Sequence, residues 1–524
     1  MALKRLALSA GLLLFLAVNR SSSVIPVEEE SPHFWNTKGK EALSRALNLQ
    51  PNLHRAKNLV LFLGDGMGVS TVTAARILKG QMAGNPGEET VLTMEAFPYL
   101  ALSKTYNVDQ QMPDSAGTAT AYSCGVKANY GTLGLSAAAR RYQCKTAYGN
   151  EVTSVLHRAK MAGKSVGIIS TARVQHASPA ASYAHSANRA WYSDSDLPRP
   201  CGPDRLPAQN PLIHNTEIDV ILGGGRTYML PNDTADPEYP SSRGDRWDKT
   251  NLITEWLKNK KKAKYVWNKA QLDDVDEDDT DYLMGLFEPK DLRYELDRNP
   301  LTDPSLTEMV EKAIKILRKN SKGYYLTLFL HSARGRIDHG HHDGIAGHAL
   351  TEAVEFDKAL QRATELTSEL DTLMVVTADH SHVFTFGGYS ARGNPVLGLS
   401  REIAEDNKTF TTALYGNGPG YQILNGTRPD PNNITTEFRV FMQQAAVPLD
   451  SETHGSEDVA IYARGPMAHL FHGVQEQSYV AHVLAYAACL EPYADCVLPD
   501  GAAALQSGLL LLLLPVSLAS LLSV

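Results

Sequence analysis

An α/β fold, with a large, mostly parallel central sheet flanked by helices on both faces, is what this 524-residue sequence predicts. Three observations predict it. Short apolar runs recur at Leu59 to Leu63, Val166 to Ile169, Ile218 to Leu222, Tyr325 to Leu330 and Leu373 to Val376, and unbroken rather than alternating hydrophobicity marks strands covered on both faces. Helical patterns follow several of these runs, as crossovers between parallel strands require. Asp65, the segment around His176, Asp338 and Asp379 all come just after a run, and functional groups in open α/β sheets gather at the carboxyl ends of strands.

In chain order, Lys4 and Arg5 precede the apolar run Leu6 to Val18, too short to span a bilayer, so residues 1–23 read as a secretory signal. The mature domain is expected over 24–500. Residues 32–49 read as an exposed N-terminal helical arm. Residues 388–450, rich in Gly, Pro and Asn, read as an inserted loop-rich, crown-like region. After Gly501 to Ala504 comes a leucine-rich tail to Val524 with no basic residue behind it. That is the form of a GPI-attachment signal over 501–524, with Asp500 as the lipidated residue and the outer face of the cell membrane as the location. A 43% hydrophobic content allows a large core, and the formal charge of -8 argues against a nucleic-acid-binding role without excluding a small anionic substrate.

Five cysteines in a secreted chain permit two disulfides: Cys489 with Cys496 across a small loop and Cys144 with Cys201 across a longer one, leaving Cys124 as a buried thiol. Sequons at Asn232, Asn407, Asn425 and Asn433 fit an extracellular surface.

The chemistry concentrates in Asp338-His339-Gly340-His341-His342 and Asp379-His380-Ser381-His382, joined by Glu452-Thr453-His454-Gly455 and by Asp65. Carboxylates and imidazoles are the O and N donors that suit Zn²⁺, and such a spread fits ligands drawn from several strand ends. Ser115, in Pro113-Asp114-Ser115-Ala116-Gly117-Thr118, sits where a turn enters a small-residue helix. It reads either as a nucleophile at a phosphate-attracting helix N-terminus or as an ordinary residue near an N-cap.

These segments, together with Leu63-Gly64-Asp65-Gly66-Met67-Gly68 and Arg173-Val174-Gln175-His176-Ala177-Ser178-Pro179, resemble the mammalian secreted alkaline phosphatases over nearly the whole mature chain. Val24 to Glu30 and Pro113 to Gly117 look most like the tissue-restricted, intestinal or placental type. The resemblance implies two Zn²⁺, one held by Asp338, His342 and His454 and the other by Asp65, Asp379 and His380 beside Ser115. It implies one Mg²⁺ on Asp65 and Ser178, and one Ca²⁺ on Glu238, the Phe287 carbonyl, Glu288 and Asp303, oxygen donors suited to a hard cation. Arg189 and His176 would bind the substrate phosphate, the planar guanidinium gripping two oxygens. His339, His341 and His382 are left as either orienting neighbours or packed core histidines. A homodimer with the N-terminal helix reaching across is also implied.

One departure stands out. Where the family has Val-Glu-Gly-Gly before Arg-Ile-Asp-His-Gly, this chain reads Leu330-His331-Ser332-Ala333-Arg334-Gly335, so the magnesium-binding glutamate is missing and His331 or Ala333 takes its place. The expected activity is hydrolysis of phosphate monoesters at alkaline pH through a phosphoserine. The alternatives are a related metal-dependent phosphodiesterase or sulfatase, which Ser115 and Arg189 oppose, and a catalytically weakened GPI-anchored ectodomain acting by binding.

Overall fold

The five apolar runs all enter strands of one ten-stranded sheet in the computed structural model: β1 (Asn58–Gly64), β3 (Ser165–Arg173), β4 (Val220–Gly224), β7 (Tyr324–Leu330) and β8 (Thr372–Ala378). Residues 26–198, 201, 218–258, 260–330, 336–433, 435–436 and 440–499 are described. The leader 1–23, the tail 501–524 with Asp500, and the departure at His331 and Ala333 lie outside them.

Five further strands join the sheet: β2 (Tyr99–Lys104), β5 (Ala263–Val266), β6 (Tyr282–Leu286), β11 (Val459–Arg464) and β12 (Val474–Glu476). The order is β12-β2-β11-β8-β1-β7-β3-β4-β6-β5. Every described pairing is parallel except those of β11 with β8 and with β2. The central position of β1 explains its unbroken hydrophobicity: all seven of its residues are buried. Its side chains alternate between two cores, as the period-2 geometry of a strand requires. Leu59, Leu61 and Leu63 pack with α3 (Ser115–Cys124) and α7 (Tyr479–Ala487) on one face. Val60 and Phe62 pack with α2 (Val69–Met82), α4 (Leu306–Leu317) and α6 (Ala346–Leu366) on the other.

The N-terminal arm is a helix, α1 (Pro32–Leu47), with Ser31 as N-cap and no buried residue. From the loop-rich region, β10 (Ala413–Tyr415) pairs with β9 (Phe384–Phe386), just ahead of that region, in a separate two-stranded sheet, and most of the rest is turns and irregular chain. No helix among the described residues is long and apolar enough to cross a membrane.

Candidate metal centre

Strand register brings the first two carboxylates together. Gly64 at the end of β1 pairs with Ala378 at the end of β8, so Asp65 and Asp379 emerge side by side. The chain must then turn sharply, and Gly66 does so at φ +69, donating its N–H to Asp379 Oδ1 at 3.0 Å. A Cβ at Gly66 would lie 2.4 Å from His382 Nε2, so only glycine fits. Asp338 and His342 share one face of α5 (Arg336–His342), four residues apart. An isolated bridge between His382 and His454 carries the last ligand candidate to the same edge.

One cluster comprises Asp338, His342, His382 and His454, with ligand atoms within 4.8 Å of one another. His342 Nδ1 faces the Glu452 carbonyl oxygen at 2.5 Å, and His454 Nδ1 faces that of Pro113 at 2.7 Å. A carbonyl only accepts, so both protons sit on Nδ1 and both Nε2 atoms present lone pairs. Those lone pairs face each other at 3.1 Å, with Asp338 Oδ1 at 3.4 Å from His342 Nε2 and 3.3 Å from His454 Nε2. Acceptors converging in this way repel one another unless a cation lies between them, and two imidazoles with a carboxylate are the donors Zn²⁺ takes. Burial drives the pKa of His342 down to about 3, which keeps the ring neutral for ligation. Burial opposes ionisation of Asp338, but the surrounding histidines outweigh it and hold the carboxyl well below its usual range.

The second cluster is Asp65, Asp379 and His380, all fully buried. His380 Nδ1 is 3.2 Å from the Ser381 carbonyl oxygen, leaving Nε2 to face Asp65 Oδ1 at 3.4 Å, Asp379 Oδ2 at 3.3 Å and Ser115 Oγ at 3.3 Å. Ser115 is the first residue of α3, whose N-cap is Asp114, so its hydroxyl stands at a buried helix N-terminus beside these ligands. Burial, then repulsion from Asp379 and Asp338, raises the pKa of Asp65 well above normal, and burial, then repulsion from Asp338, raises that of Asp379 to about 6. Carboxylates that resist ionisation for want of counter-charge are what a divalent cation relieves.

Arg189 Nη1 donates to Asp114 Oδ2 at 3.0 Å, and Nη2 lies 3.4 Å from His176 Nε2. Ser178 Oγ donates to Asp65 Oδ2 at 3.3 Å, placing the two proposed magnesium ligands together. The residues expected to hold calcium are engaged elsewhere. Glu238 pairs with Arg226 at 2.7 Å and Glu288 with Arg293 at 3.2 Å, and no third group of ligand atoms as tight as the two above occurs among the described residues. The pKa of Glu288 is raised by burial and further by Glu238 and Asp303. Disulfides join Cys144 to Cys201 and Cys489 to Cys496, and Cys124 is a buried thiol with its pKa pushed up to about 12. Asn407 and Asn425 are exposed, Asn232 is partly so, and Asn433 ends the short turn Pro431–Asn433.

The three remaining histidines separate. His341 is a packed core residue, bonded to Thr71 Oγ1 at 2.9 Å and Tyr415 Oη at 2.8 Å. His339 is partly exposed, 3.9 Å from Asp338. His382 belongs to the cluster itself, its Nε2 at 2.7 Å from Asp338 Oδ1 and its Nδ1 at 2.5 Å from Glu452 Oε2. Burial alone would favour a neutral ring, but the two flanking carboxylates push its pKa up to about 10. The sequence leaves His382 as either an orienting neighbour or a packed core histidine and gives Glu452 no role of its own. The alternation of His380 and His382 in an extended segment was the available signal.

This arrangement of Ser115, Arg189 and two acidic-imidazole clusters has relatives. The sequence profile described as alkaline phosphatase matches residues 56–490. The tissue-nonspecific alkaline phosphatase of Homo sapiens is 53% identical over 522 residues, covering 97% of this chain and 98% of that one. Its counterpart in Rattus norvegicus is 54% identical over 516 residues, covering 96% and 97%. Among solved structures, alkaline phosphatase from Thermus thermophilus has a TM-score of 0.59 at 23% identity over 84% of this chain and 93% of that one. The enzyme of the Antarctic bacterium TAB5 has a TM-score of 0.57 at 19% identity, over 84% and 99%, and both likenesses show the shared fold. By its sequence along nearly its whole length, this chain belongs to the alkaline phosphatase family and is an enzyme that hydrolyses phosphate monoesters.

Proposed function

We propose that hydrolysis proceeds by two displacements at Ser115, within a pocket where Asp338, His342 and His454 hold one Zn²⁺ and Asp65, Asp379 and His380 hold another. The observation that carries this reading is the placement of Ser115 Oγ 3.3 Å from His380 Nε2 at the N-terminus of α3. When bound, the two cations supply Lewis acidity, lowering the pKa of the attacking hydroxyl and offsetting charge on the departing oxygen. Arg189, its plane fixed by Asp114, grips two phosphate oxygens, with His176 beside it. Ser115 Oγ then bonds to phosphorus as the ester oxygen leaves, and water later cleaves the Oγ–P bond to release inorganic phosphate. Activity rises with pH as these oxygen nucleophiles lose protons, whereas acid protonates the histidine ligands and expels the cations.

Rapid acid quenching of turnover with a radiolabelled phosphate monoester tests the proposal. Label should appear on Ser115, and Ser115→Ala should lose both the label and about a thousandfold or more in turnover. Label on another residue, or wild-type turnover in the variant, would overturn it.

A magnesium ion on Asp65 and Ser178 without the family's glutamate, whose place His331 or Ala333 takes, and a calcium ion at Glu238, Phe287, Glu288 and Asp303, complete the proposed metal content. The Ser178 to Asp65 contact supports the first, and the mutual repulsion of Glu288, Glu238 and Asp303 supports the second. We further propose a mature domain over 24–500 with its crown-like region at 388–450, a homodimer, and a GPI anchor at Asp500 on the outer cell surface. The unburied helix α1 supports the dimer and the tail sequence supports the anchor. Phospholipase C release of surface activity, and light scattering of the released protein, test these two points. Val24 to Glu30 favours placement with the tissue-restricted type.

A further inference from the structure

Glu452 is a buried carboxylate outside both ligand sets, and its contacts converge on one of them. Its side chain is fully buried, with Oε1 accepting the Val383 N–H at 2.8 Å and Oε2 facing His382 Nδ1 at 2.5 Å. His382 in turn reaches Asp338 Oδ1 at 2.7 Å. The backbone of the same residue is equally engaged: its N–H donates to the His342 carbonyl oxygen at 2.9 Å and its own carbonyl accepts from His342 Nδ1 at 2.5 Å. His454 lies two residues further along the chain.

We infer that Glu452 is the positioning residue of the first metal centre, orienting Asp338 through His382 with its side chain and His342 directly with its carbonyl. The inference rests on the two-metal reading given above. Its logic is geometric. A carboxylate ligand with free rotation about its Cβ–Cγ bond offers either oxygen to a cation, whereas His382 holds Oδ1 in place. An imidazole ring in turn rotates unless its far nitrogen is tied. Glu452 fixes both through rigid contacts, and Oε1 on the Val383 N–H prevents its carboxylate from turning away. Without the anionic Oε2, His382 would keep only one strong acceptor, and Asp338 would be free to swing. Because the carbonyl arm is backbone, a side-chain substitution isolates the arm that runs through His382.

The test is the rate of zinc release into a chromogenic chelator from the full-length, zinc-loaded protein, measured alongside kcat and KM. Three variants are compared with wild type: Glu452→Gln, Glu452→Asp and Asn417→Ala. Asn417 holds the same loop from outside, through hydrogen bonds with Thr453 at 3.0 Å and 2.9 Å rather than with His382 or the Glu452 side chain. Glu452→Gln should release one of the two zinc ions about ten to a hundred times faster, the span second-layer substitutions produce. Its kcat should fall with KM little changed, and excess zinc should restore part of the turnover. Glu452→Asp should recover part of the retention, while Asn417→Ala should release zinc like wild type. Wild-type release from Glu452→Gln would overturn the inference, and so would equally fast release from Asn417→Ala, which would reduce Glu452 to ordinary loop packing. If wild type itself bound no zinc, the two-metal reading would fall instead, a result separable from either of these.

Discussion

Asp114 ties the helix that begins with Ser115 to Arg189. Its Oδ1 accepts the N–H of Gly117 at 3.2 Å, capping the helix that begins with Ser115, while its Oδ2 takes Arg189 Nη1 at 3.0 Å. Gly131 N–H and Asn107 Nδ2, each at 2.9 Å, complete its shell. Burial works against its charge, yet Arg189 and these backbone donors keep its pKa below normal, so it is ionised wherever the enzyme works. Arg189 thus commits Nη1 to Asp114 while Nη2 lies against His176, and its planar fork fixes where its donors point. Lysine cannot do both, since a single ammonium on a flexible stem must choose between Asp114 and phosphate. Arg189→Lys should therefore raise KM for a phosphate monoester by about tenfold or more, the equivalent of one lost charge-assisted hydrogen bond at ~1.5–3 kcal/mol. Steady-state kinetics at fixed zinc loading measures this, and an unchanged KM would remove Arg189 from the phosphate site.

Among the elements, the amino ends of three neighbouring strands are pinned by one lysine. Lys164, just before β3, donates to the Lys57 carbonyl ahead of β1 at 2.7 Å and to that of Lys322 ahead of β7 at 2.9 Å. Burial, reinforced by Arg55 and Lys57, lowers its pKa to about 8 from an ordinary 10.5. Between those values the unfolded chain holds a proton that the folded one does not, so this group makes stability rise with pH, by up to about 1.4 kcal/mol per unit. The stability of wild type relative to Lys164→Met should therefore grow between pH 8 and 10, read from urea midpoints, and a flat difference would show that Lys164 keeps its proton. The strands that Lys164 joins were, together with β4 and β8, the ones legible in the sequence, because burial on both faces leaves an unbroken apolar run. β2 and β11 were not, since exposure on one face breaks the pattern, and β5 and β12 are short strands at the sheet edges. The same contrast holds at the site. Asp65 and Asp379 could be read because they end such runs, and His342 and His454 through their motifs and the family resemblance. The part played by His382 and Glu452 depends on a contact between segments about seventy residues apart, which no local pattern encodes.

Over the whole molecule, a chain of net charge -8 concentrates three buried carboxylates, Asp65, Asp338 and Asp379, at one edge of its sheet. Asp338 has histidines around it, but burial, with too little positive charge nearby to offset it, raises the pKa values of Asp65 and Asp379. The sign of the linkage follows. A carboxyl with its folded pKa lifted from 3.8 to about 6, as for Asp379, binds more proton folded than unfolded, so metal-free stability falls as pH rises through that window. Zinc bound at the proposed site would reverse the trend, because it would replace those protons and its affinity would increase as its ligands deprotonate. Stripping the metal should therefore cost little thermal stability near pH 5 and progressively more toward pH 7. Comparing melting temperatures of zinc-loaded and chelator-treated protein across that range cancels the contribution of every group distant from the site. A drop that stayed constant with pH would mean that the acidic cluster is not what the cation neutralises.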